Sequence, residues 1–279
     1  MKIVVSGKDN IQDMRYEALI LENAVGEGPG ILRDIILDRG WSIQTIKLFT
    51  GESIPSDWRY FNLIIVMGGP MNVYEENEYP YLITETEMIA RAIHGGMPVL
   101  GFCLGAQLMA KACGAKVQKG PIREIGWYPV SLTKDGRQDP LLRRFPKTFS
   151  VFQWHGDTFE IPKKGICLIE SDQYPNQAMR IGNMGYGFQF HFEITYRMIK
   201  EWLNNGKEEL EAMNAVRLHE RILKDSSYNL SRVHVIATLF LNKYLDLIEG
   251  QTRSQVPSEN YISGFDRQVF NKTNHKLVL

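Results

Sequence analysis

Short apolar runs alternate with helical patterns in the part of the chain that ends at Gly114. Turn-forming or charged residues bound each apolar run, as is typical of buried strands; the runs are KIVVSG, WSIQTIKL, NLIIVMGGP and MPVLGFC. Helical spacing predicts helices in GILRDIILDRG, with Gly40 as its C-terminal cap, from about Tyr81 to His94, and in LGAQLMAKACG. The polar, glycine-containing stretch before the first helix is assigned no element. Strands that alternate with helices at these intervals predict parallel βαβ units, and therefore an open α/β sheet covered by helices.

Beyond Gly114 the pattern becomes rich in strands. Turn formers bound five further candidates, which are EIGWYPVSL, KTFSVFQWH, GICLIES, NQAMRIG and YGFQFHFE. Two helices are expected between Tyr196 and about Ile248, with interruptions near NNG and around KDSSYN. The pattern thus predicts a domain at 1–195, a helical extension packed on it at 196–250, and a polar tail at 251–279. This tail is expected to be either loosely attached or docked by three aromatic residues, Tyr261, Phe265 and Phe270.

Composition narrows the class of protein. The chain of 279 residues is 44% hydrophobic and 23% charged, which is ordinary for a soluble domain. Its 32 acidic and 32 basic side chains balance, so no global charge draws it to nucleic acid or to a membrane surface. Three cysteines without a CxxC pair predict neither a disulfide framework nor a zinc site, and favour a reducing compartment. The opening MKIVVSGKDN lacks a signal-peptide apolar region, and no apolar run reaches membrane length, so we expect a cytoplasmic globular protein.

Candidate chemistry begins at GFCLG, where a predicted strand runs directly into a predicted helix. Glycines on both sides of Cys103 remove the Cβ atoms that would collide in such a turn, so the side chain projects from the end of the sheet. The sulfur then lies at a helix N-terminus, which favours a thiolate, and the N–H of Leu104 points to where an oxyanion would form. A second backbone donor is available in the glycines that end NLIIVMGGP, although, taken alone, they are better explained by an ordinary strand-ending turn.

A candidate base lies in GFQFHFE. Side chains alternate along a strand, so Phe188, Phe190 and Phe192 share one face and the other face carries Gln189, His191 and Glu193. An imidazole beside a carboxylate, opposite three core-facing rings, is the arrangement that a Cys–His–acid triad requires.

These motifs resemble the class I glutamine amidotransferases over residues 1 to about 195. VMGGP, GFCLGAQL and GFQFHFE follow the order and spacing of that family. REIGWYPV, FQWHGDTFEIP and NQAMRIG are most similar to stand-alone relatives of the GMP synthetase amidotransferase domain. The resemblance implies a flavodoxin-like, open and mostly parallel sheet with helices on both faces, followed in this chain by C-terminal helices. One position departs from the family pattern, since Phe192 stands where proline is usual.

The resemblance also implies the roles of individual residues. It assigns the triad to Cys103, His191 and Glu193, and the oxyanion-hole N–H groups to Gly69 and Leu104. It further assigns contacts with the substrate to Gln107 and, as weaker candidates, to His155, Gly156 and Asp157.

The residues alone leave several of these positions open. Gln107 lies one helical turn from Cys103 on the same face, but a solvent-exposed helical glutamine is an equally good interpretation. His155 and Asp157 could form a salt bridge within a loop. The two other cysteines, Cys113 and Cys167, are expected to be structural. The remaining histidines lack the spacing of metal ligands, so we predict no metal and no cofactor; they are His94, His219, His234 and His275.

The predicted reaction is hydrolysis of a γ-glutamyl amide, such as glutamine, through a γ-glutamyl thioester. Because the chain lacks a GxxxxGK phosphate loop and room for a synthetase domain beyond residue 200, one hypothesis is a glutaminase subunit that supplies ammonia to a separate synthase. A second is a stand-alone γ-glutamyl peptidase or hydrolase. A third, a non-catalytic binding module, is disfavoured by the complete triad. The sequence leaves the ammonia acceptor and the oligomeric state open.

Overall fold

The computed structural model of the protein describes residues 16–212 and 217–255. In these ranges the strands are β1 Glu17–Glu22, β2 Ser42–Lys47, β3 Leu63–Val66, β4 Val99–Phe102, β5 Val117–Leu132, β6 Thr148–Phe159, β7 Gly165–Glu170, β8 Ala178–Ile181 and β9 Gly185–Phe188. The helices are α1 Leu32–Asp38, α2 Tyr81–His94, α3 Leu104–Ala112, α4 Tyr196–Asn205, α5 Lys207–Ala212 and α6 Leu218–Gln255. None of the described helices combines the length and the apolarity needed to cross a membrane.

The described strands form a single sheet in the order β2-β1-β3-β4-β9-β8-β7-β5-β6. The pairs from β2 through β9 are parallel, whereas those from β9 through β6 are antiparallel. The expected α/β architecture is confirmed, and the antiparallel strands extend its parallel half. Every residue of β3 and β4 is buried, as expected for parallel strands covered on both faces.

The first described strand lies where the sequence pattern assigned no element. Four buried apolar residues, 18–21, form the middle of β1, between glutamates at both ends. So short a run, flanked by charge, carries little signal by itself, and β1 is a strand because β2 and β3 pair with it on both sides. The predicted strand KIVVSG lies outside the described residues.

The C-terminal helices differ from expectation at one break. The break near NNG is confirmed, since Gly206 ends α4, but α6 runs unbroken through KDSSYN. The polar residues there bond back to helix carbonyls: Ser226 to Ile222 and Asn229 to Asp225. Helix α6 also continues to Gln255, inside the predicted tail. The rest of that tail, 256–279, lies outside the described residues, as does the expected docking of its aromatic residues.

Two apolar cores cover the two faces of the sheet. One lies between the parallel strands and the helices α2 and α3. The other is rich in aromatic rings, which come from the end of β9 and from α6 and include Phe188, Phe190, Phe192, Phe240 and Tyr244. The long helix is therefore packed on the core of the sheet, which fits the expected extension, although the boundary at residue 195 remains a prediction.

Helix α3 approaches the sheet closely because of two glycines. A Cβ on Gly105 would lie 2.2 Å from the carbonyl oxygen of Val66 in β3, and one on Gly101 would lie 2.8 Å from the nitrogen of Ala106. Real Cβ atoms do not approach backbone this closely, so any side chain at either position would push α3 away from the sheet.

We expect Gly105→Ala to lower the free energy of unfolding by about 1–3 kcal/mol, because α3 must move to accommodate the methyl group. Gly250→Ala is the matched control: it lies in the interior of α6 with open space around its Cβ position, and it should stabilise the helix by up to ~1 kcal/mol. Urea denaturation measures both. Equal effects of the two substitutions would contradict the close-approach argument.

Candidate active site

Cys103 occupies a turn that few side chains adopt. Its φ of 46° and ψ of −106° make it the one residue other than glycine with positive φ in the described ranges. Two hydrogen bonds hold this conformation, from the Cys103 N–H to Phe188 O at 2.8 Å and from the Gln107 N–H to Cys103 O at 3.0 Å. Strained backbone of this kind persists only where the surrounding structure enforces it, and it is common at reactive sites. The structure therefore contains the turn that the sequence predicts at the start of α3.

The sulfur of Cys103 faces a backbone carbonyl of β6 and a side chain from the segment after β9. The Gln189 Nε2 lies 3.6 Å from Sγ, and Sγ lies 3.8 Å from the carbonyl oxygen of Trp154. His191 also hydrogen-bonds with the Cys103 side chain. Gln189 belongs to the polar face that the alternation predicted, and it completes the sulfur's surroundings.

His191 and Glu193 form a buried pair, with the His191 Nδ1 2.6 Å from the Glu193 Oε1. The strand was expected to continue through both residues, but β9 ends at Phe188, and His191 instead makes an isolated bridge whose N–H donates to Phe152 O at 2.8 Å. Alternation of faces nevertheless persists beyond the strand, because the neighbouring phenylalanine rings remain in the core. Phe192, the residue that departs from the family pattern, packs edge-on against Phe102 at 5.1 Å.

The pair controls the charge of the imidazole. Burial by itself lowers the pKa of His191, but the charge of Glu193 and the hydrogen bonds with Cys103 and Glu193 outweigh it and raise the pKa well above its ordinary value. The raised pKa favours the protonated imidazole, in which Nδ1–H donates to Glu193. The nitrogen left for chemistry is Nε2.

Helix α1 begins directly against the backbone of Glu193. The Ile31 N–H donates to Glu193 O at 3.0 Å, and a Cβ on Gly30 would lie 1.9 Å from the same oxygen. Gly30, with φ of 52°, is therefore required for this contact. The contact fixes the backbone of the acid that orients His191.

The two residues that carry the candidate oxyanion donors, Gly69 and Leu104, lie close together. A Cβ on Gly69 would lie 3.0 Å from Leu104 Cδ2, and Leu104 is the first residue of α3, where the N–H has no partner within the helix. Beneath the glycine loop, the buried Asn23 donates from Nδ2 to Met67 O at 3.2 Å and to Glu85 Oε1 at 3.3 Å. Burial raises the pKa of Glu85 to about 8, against the lowering effect of that hydrogen bond, so this carboxyl group is neutral at pH 7. A neutral, hydrogen-bonded support therefore underlies the loop.

The four candidate substrate contacts all line one cleft with Cys103 and His191. Gln107 is buried rather than solvent-exposed, and its Nε2 donates to Asp157 O at 3.3 Å and to Gln189 Oε1 at 3.2 Å. His155 is in strand β6, not a loop, and both ring nitrogens have protein partners, Asp157 O at 2.9 Å and Glu124 Oε2 at 3.1 Å. The Asp157 side chain can still accept a hydrogen bond from a ligand, because its Oδ2 is buried without a hydrogen-bond partner in the described residues.

The cleft has a volume of about 450 Å³ and includes residues that the sequence did not single out. Trp202 of α4 packs edge-on against His191 with ring centroids 4.8 Å apart, and its Nε1 donates to Gly26 O at 3.0 Å. Glu209 of α5 pairs with Arg123 and accepts from the Trp154 Nε1 at 3.1 Å. Glu27, from the loop between β1 and α1, also lines the cleft. No periodicity or motif in the sequence marks these positions, since they meet only after α4 and α5 fold over the site.

The two other cysteines lie away from this chemistry. All three cysteines are free, and neither Cys113 nor Cys167 lines the cleft. Burial raises the pKa of both thiols, that of Cys167 to about 11. Both therefore remain thiols at neutral pH, in keeping with the structural role expected for them.

Comparison with known proteins places this geometry in a family. The model of the family "Glutamine amidotransferase class-I" matches residues 32–208. A putative glutamine amidotransferase-like protein of Salmonella typhimurium, YfeJ, is 31% identical over 74% of this chain and 87% of its own length. The GMP synthase of Thermosipho melanesiensis is 35% identical over 48% of this chain, which corresponds to 24% of that protein.

Solved structures agree with the sequence matches. A glutamine amidotransferase from Thermotoga maritima superposes with a TM-score of 0.77 at 31% identity, covering 83% of this chain and 99% of that structure. One from Methylobacillus flagellatus superposes with a TM-score of 0.74 at 25% identity, covering 83% of this chain and 95% of that structure. The chain belongs to the class I glutamine amidotransferase family.

Proposed function

We propose that this protein hydrolyses a γ-glutamyl amide, with glutamine as the reference substrate, through a γ-glutamyl thioester on Cys103. The observation that carries the proposal is the meeting of a strained cysteine and a buried His191–Glu193 pair in one cleft. The family assignment makes this chemistry the expected one. Cysteine, imidazole and carboxylate then act as nucleophile, proton donor and orienting acid.

The first half of the reaction forms the thioester. The Cys103 sulfur attacks the γ-carbonyl carbon, and the N–H groups of Gly69 and Leu104 stabilise the anionic oxygen. His191 gives its proton to the departing nitrogen as the C–N bond breaks, which releases ammonia or an amine. The pKa of the imidazole, raised by Glu193, ensures that this proton is available.

The second half consumes water. Neutral His191 takes a proton from a water molecule, whose oxygen attacks the thioester carbon, and the C–S bond breaks to give the γ-carboxyl group of glutamate and the Cys103 thiolate. Glu193 stabilises the positive charge that returns to the imidazole. Overall, one water molecule is added and one amide bond is lost.

The glutamyl half fits the wall formed by β6. Asp157 offers a buried, unpartnered oxygen for the α-ammonium group. Arg123 lies against Gly156, 3.4 Å from its Cβ position, and provides a cation for the α-carboxylate. Gln107 supports this wall through Asp157 O, so we assign it a positioning role in addition to any substrate contact.

The two candidate functions differ in the fate of the released ammonia. A glutaminase subunit would deliver it to a separate synthase, as suggested by the GMP synthases, of which this chain matches about a quarter. A stand-alone γ-glutamyl hydrolase is favoured by α4 and α5, which contribute Trp202, Asn205, Gly206, Glu208 and Glu209 to the cleft lining. Residues of this chain itself, and not of a partner, thus form that part of the cleft wall. A cytoplasmic location remains a prediction that rests on the three free cysteines.

Cys103→Ala is expected to reduce hydrolysis of γ-glutamyl amides by about 10³-fold or more, because the thioester can no longer form. His191→Ala should cost nearly as much, and Glu193→Gln distinctly less, since an orienting acid contributes less than the groups that it orients. Cys113→Ala is the matched control and should leave turnover unchanged, because Cys113 does not line the cleft. Steady-state rates with retained thermal stability measure this series, and full activity of Cys103→Ala would refute the mechanism.

Glu193→Gln should lower the pKa of His191 by roughly one to three pH units, because it removes the charge that raises this pKa while burial continues to lower it. An NMR titration of ¹³C-labelled histidine provides the value, with the signal assigned by its loss in His191→Gln. Glu87→Gln is the control, since Glu87 pairs with Arg91 on the exposed face of α2. A pKa that stays unchanged or rises in Glu193→Gln would contradict the proposed electrostatic pairing.

The two candidate functions predict different behaviour of the purified protein. A stand-alone hydrolase has a complete oxyanion hole at rest and should turn over γ-glutamyl amides without a partner. A synthase subunit should be nearly idle, because one missing oxyanion donor costs roughly 10²–10³ in rate. Turnover of glutamine and γ-glutamyl amides decides between them, with labelling of Cys103 by a glutamine-like electrophile as the control for a competent thiol. Labelling without turnover would favour the synthase partner.

A further inference from the structure

Glu27 places a second carboxylate near the imidazole of His191, in addition to that of Glu193. Its Oε2 lies 2.7 Å from the point that a Cβ on Gly68 would occupy, and His191 Cε1 lies 3.3 Å from the same point. Glu27 and His191 therefore flank one glycine of the loop that carries the candidate oxyanion donor. The Glu27 carboxylate also interacts electrostatically with the His191 imidazole, whose Nε2 is the nitrogen left for chemistry because Nδ1 contacts Glu193.

The Glu27 carboxylate has no hydrogen-bond or ion-pair partner among the described residues. Among the residues that the structure describes, the charges that act on it are the imidazole of His191, which is attractive, and the carboxylate of Glu193, which is repulsive. Loss of surrounding water raises the pKa of Glu27 to about 7, so the group is poised to ionise when a cation approaches. Because Glu27 lines the cleft, its unpaired carboxylate is available to a molecule that binds there.

The geometry of the attack decides which part of a substrate meets Glu27. At the carbon that bonds to Cys103, the oxygen is directed to the N–H groups of Gly69 and Leu104, and the glutamyl chain runs to the β6 wall. The departing nitrogen must face His191 Nε2, from which it receives a proton. The leaving amine therefore extends along the side of the cleft that carries Glu27, together with Ala24 and Val25.

The charges on that side are unfavourable for an anionic leaving group. Among the described residues of the lining, the basic side chains besides His191 are Arg123, which pairs with Glu209, and His155, whose Nε2 contacts Glu124. Both also lie on the β6 side, assigned to the glutamyl half. A carboxylate on the leaving amine would thus meet Glu27 without a compensating cation, as would occur with any γ-glutamyl amino acid or peptide.

We propose that Glu27 forms a leaving-amine subsite that selects γ-glutamyl amides of cationic amines, such as diamines, over γ-glutamyl amino acids and peptides. The inference rests on the proposed function for the direction in which the substrate lies. It names the substrate class of the stand-alone reaction, and it makes Glu27 a specificity residue distinct from the triad.

Binding to the inert Cys103→Ala variant tests the inference without requiring turnover. Three γ-glutamyl amides of nearly equal size are compared by calorimetry, with ethylenediamine, propylamine and glycine as the amine part. The pH is about 8, above the value of about 7 for Glu27, so that the carboxylate is ionised. The diamine compound should bind about tenfold more tightly than the glycine compound, and Glu27→Gln should remove most of this difference.

Two further variants separate charge from structure. Glu27→Asp keeps the carboxylate and should retain much of the preference for the diamine compound. Glu22→Gln removes a carboxylate at the base of the same loop, next to Gly28 and outside the cleft lining, and should leave the preference unchanged. Thermal unfolding confirms that each variant is folded.

The outcomes distinguish this inference from the proposed function. Equal affinity for the three compounds, or a preference that survives Glu27→Gln, overturns the leaving-amine subsite even if wild-type protein hydrolyses glutamine. A uniform loss of affinity for all three compounds in Glu27→Gln also overturns it, because Glu27 would then only support the loop. Charge-selective binding together with an absence of hydrolysis by the wild type would support the subsite and count against the proposed reaction.

Discussion

The close contact between α3 and the parallel strands is the constraint on which the site depends. Because glycines at 101 and 105 let the helix backbone touch β3, the chain between β4 and α3 has no room for an ordinary turn, and Cys103 takes a positive φ. The same turn is tied by the Cys103 N–H to Phe188, the last residue of β9. The segment that follows Phe188 carries Gln189, His191 and Glu193, so the position of the sulfur and that of the imidazole are set by one set of backbone contacts.

The pair His191–Glu193 lies outside regular strand structure and therefore needs support from packing. The Phe190 and Phe192 rings provide it, since they anchor the segment in the aromatic core, where Phe240 of α6 contacts Phe192 at 5.5 Å. On the cleft side, Trp202 of α4 contacts His191. The family model's match ends at residue 208, so α6 supports the site from outside the matched residues. Phe192, which stands where proline is usual in the family, also contributes an aromatic ring to this core.

The sequence predicted the parts of the structure whose signal is local. The helix from Tyr81 to His94 and the turn at Cys103 follow from residue spacing and glycine placement within a few positions. Strand β1 and the unbroken α6 could not be predicted in this way, because the first depends on strands that pair with it and the second on side chains that bond back to the helix. For the same reason the triad residues could be named from motifs, whereas Glu27 and Trp202 reach the site only through tertiary folding.

Three glutamates around the site illustrate how environment assigns roles to one residue type. Glu193 contacts the imidazole directly, and the charge pair makes His191 a proton donor. Glu85 is buried under the oxyanion loop with only an amide as partner, so burial leaves it protonated at neutral pH and it supports the loop without placing a negative charge near the developing oxyanion. The environment of Glu27 is intermediate between those of Glu193 and Glu85. Loss of water raises its pKa to about 7, although the imidazole of His191 acts to lower it. A cleft that must stabilise an oxyanion on one side can therefore carry a carboxylate on the other, because burial raises the pKa of that carboxylate to about 7 and leaves it only partly ionised near neutral pH.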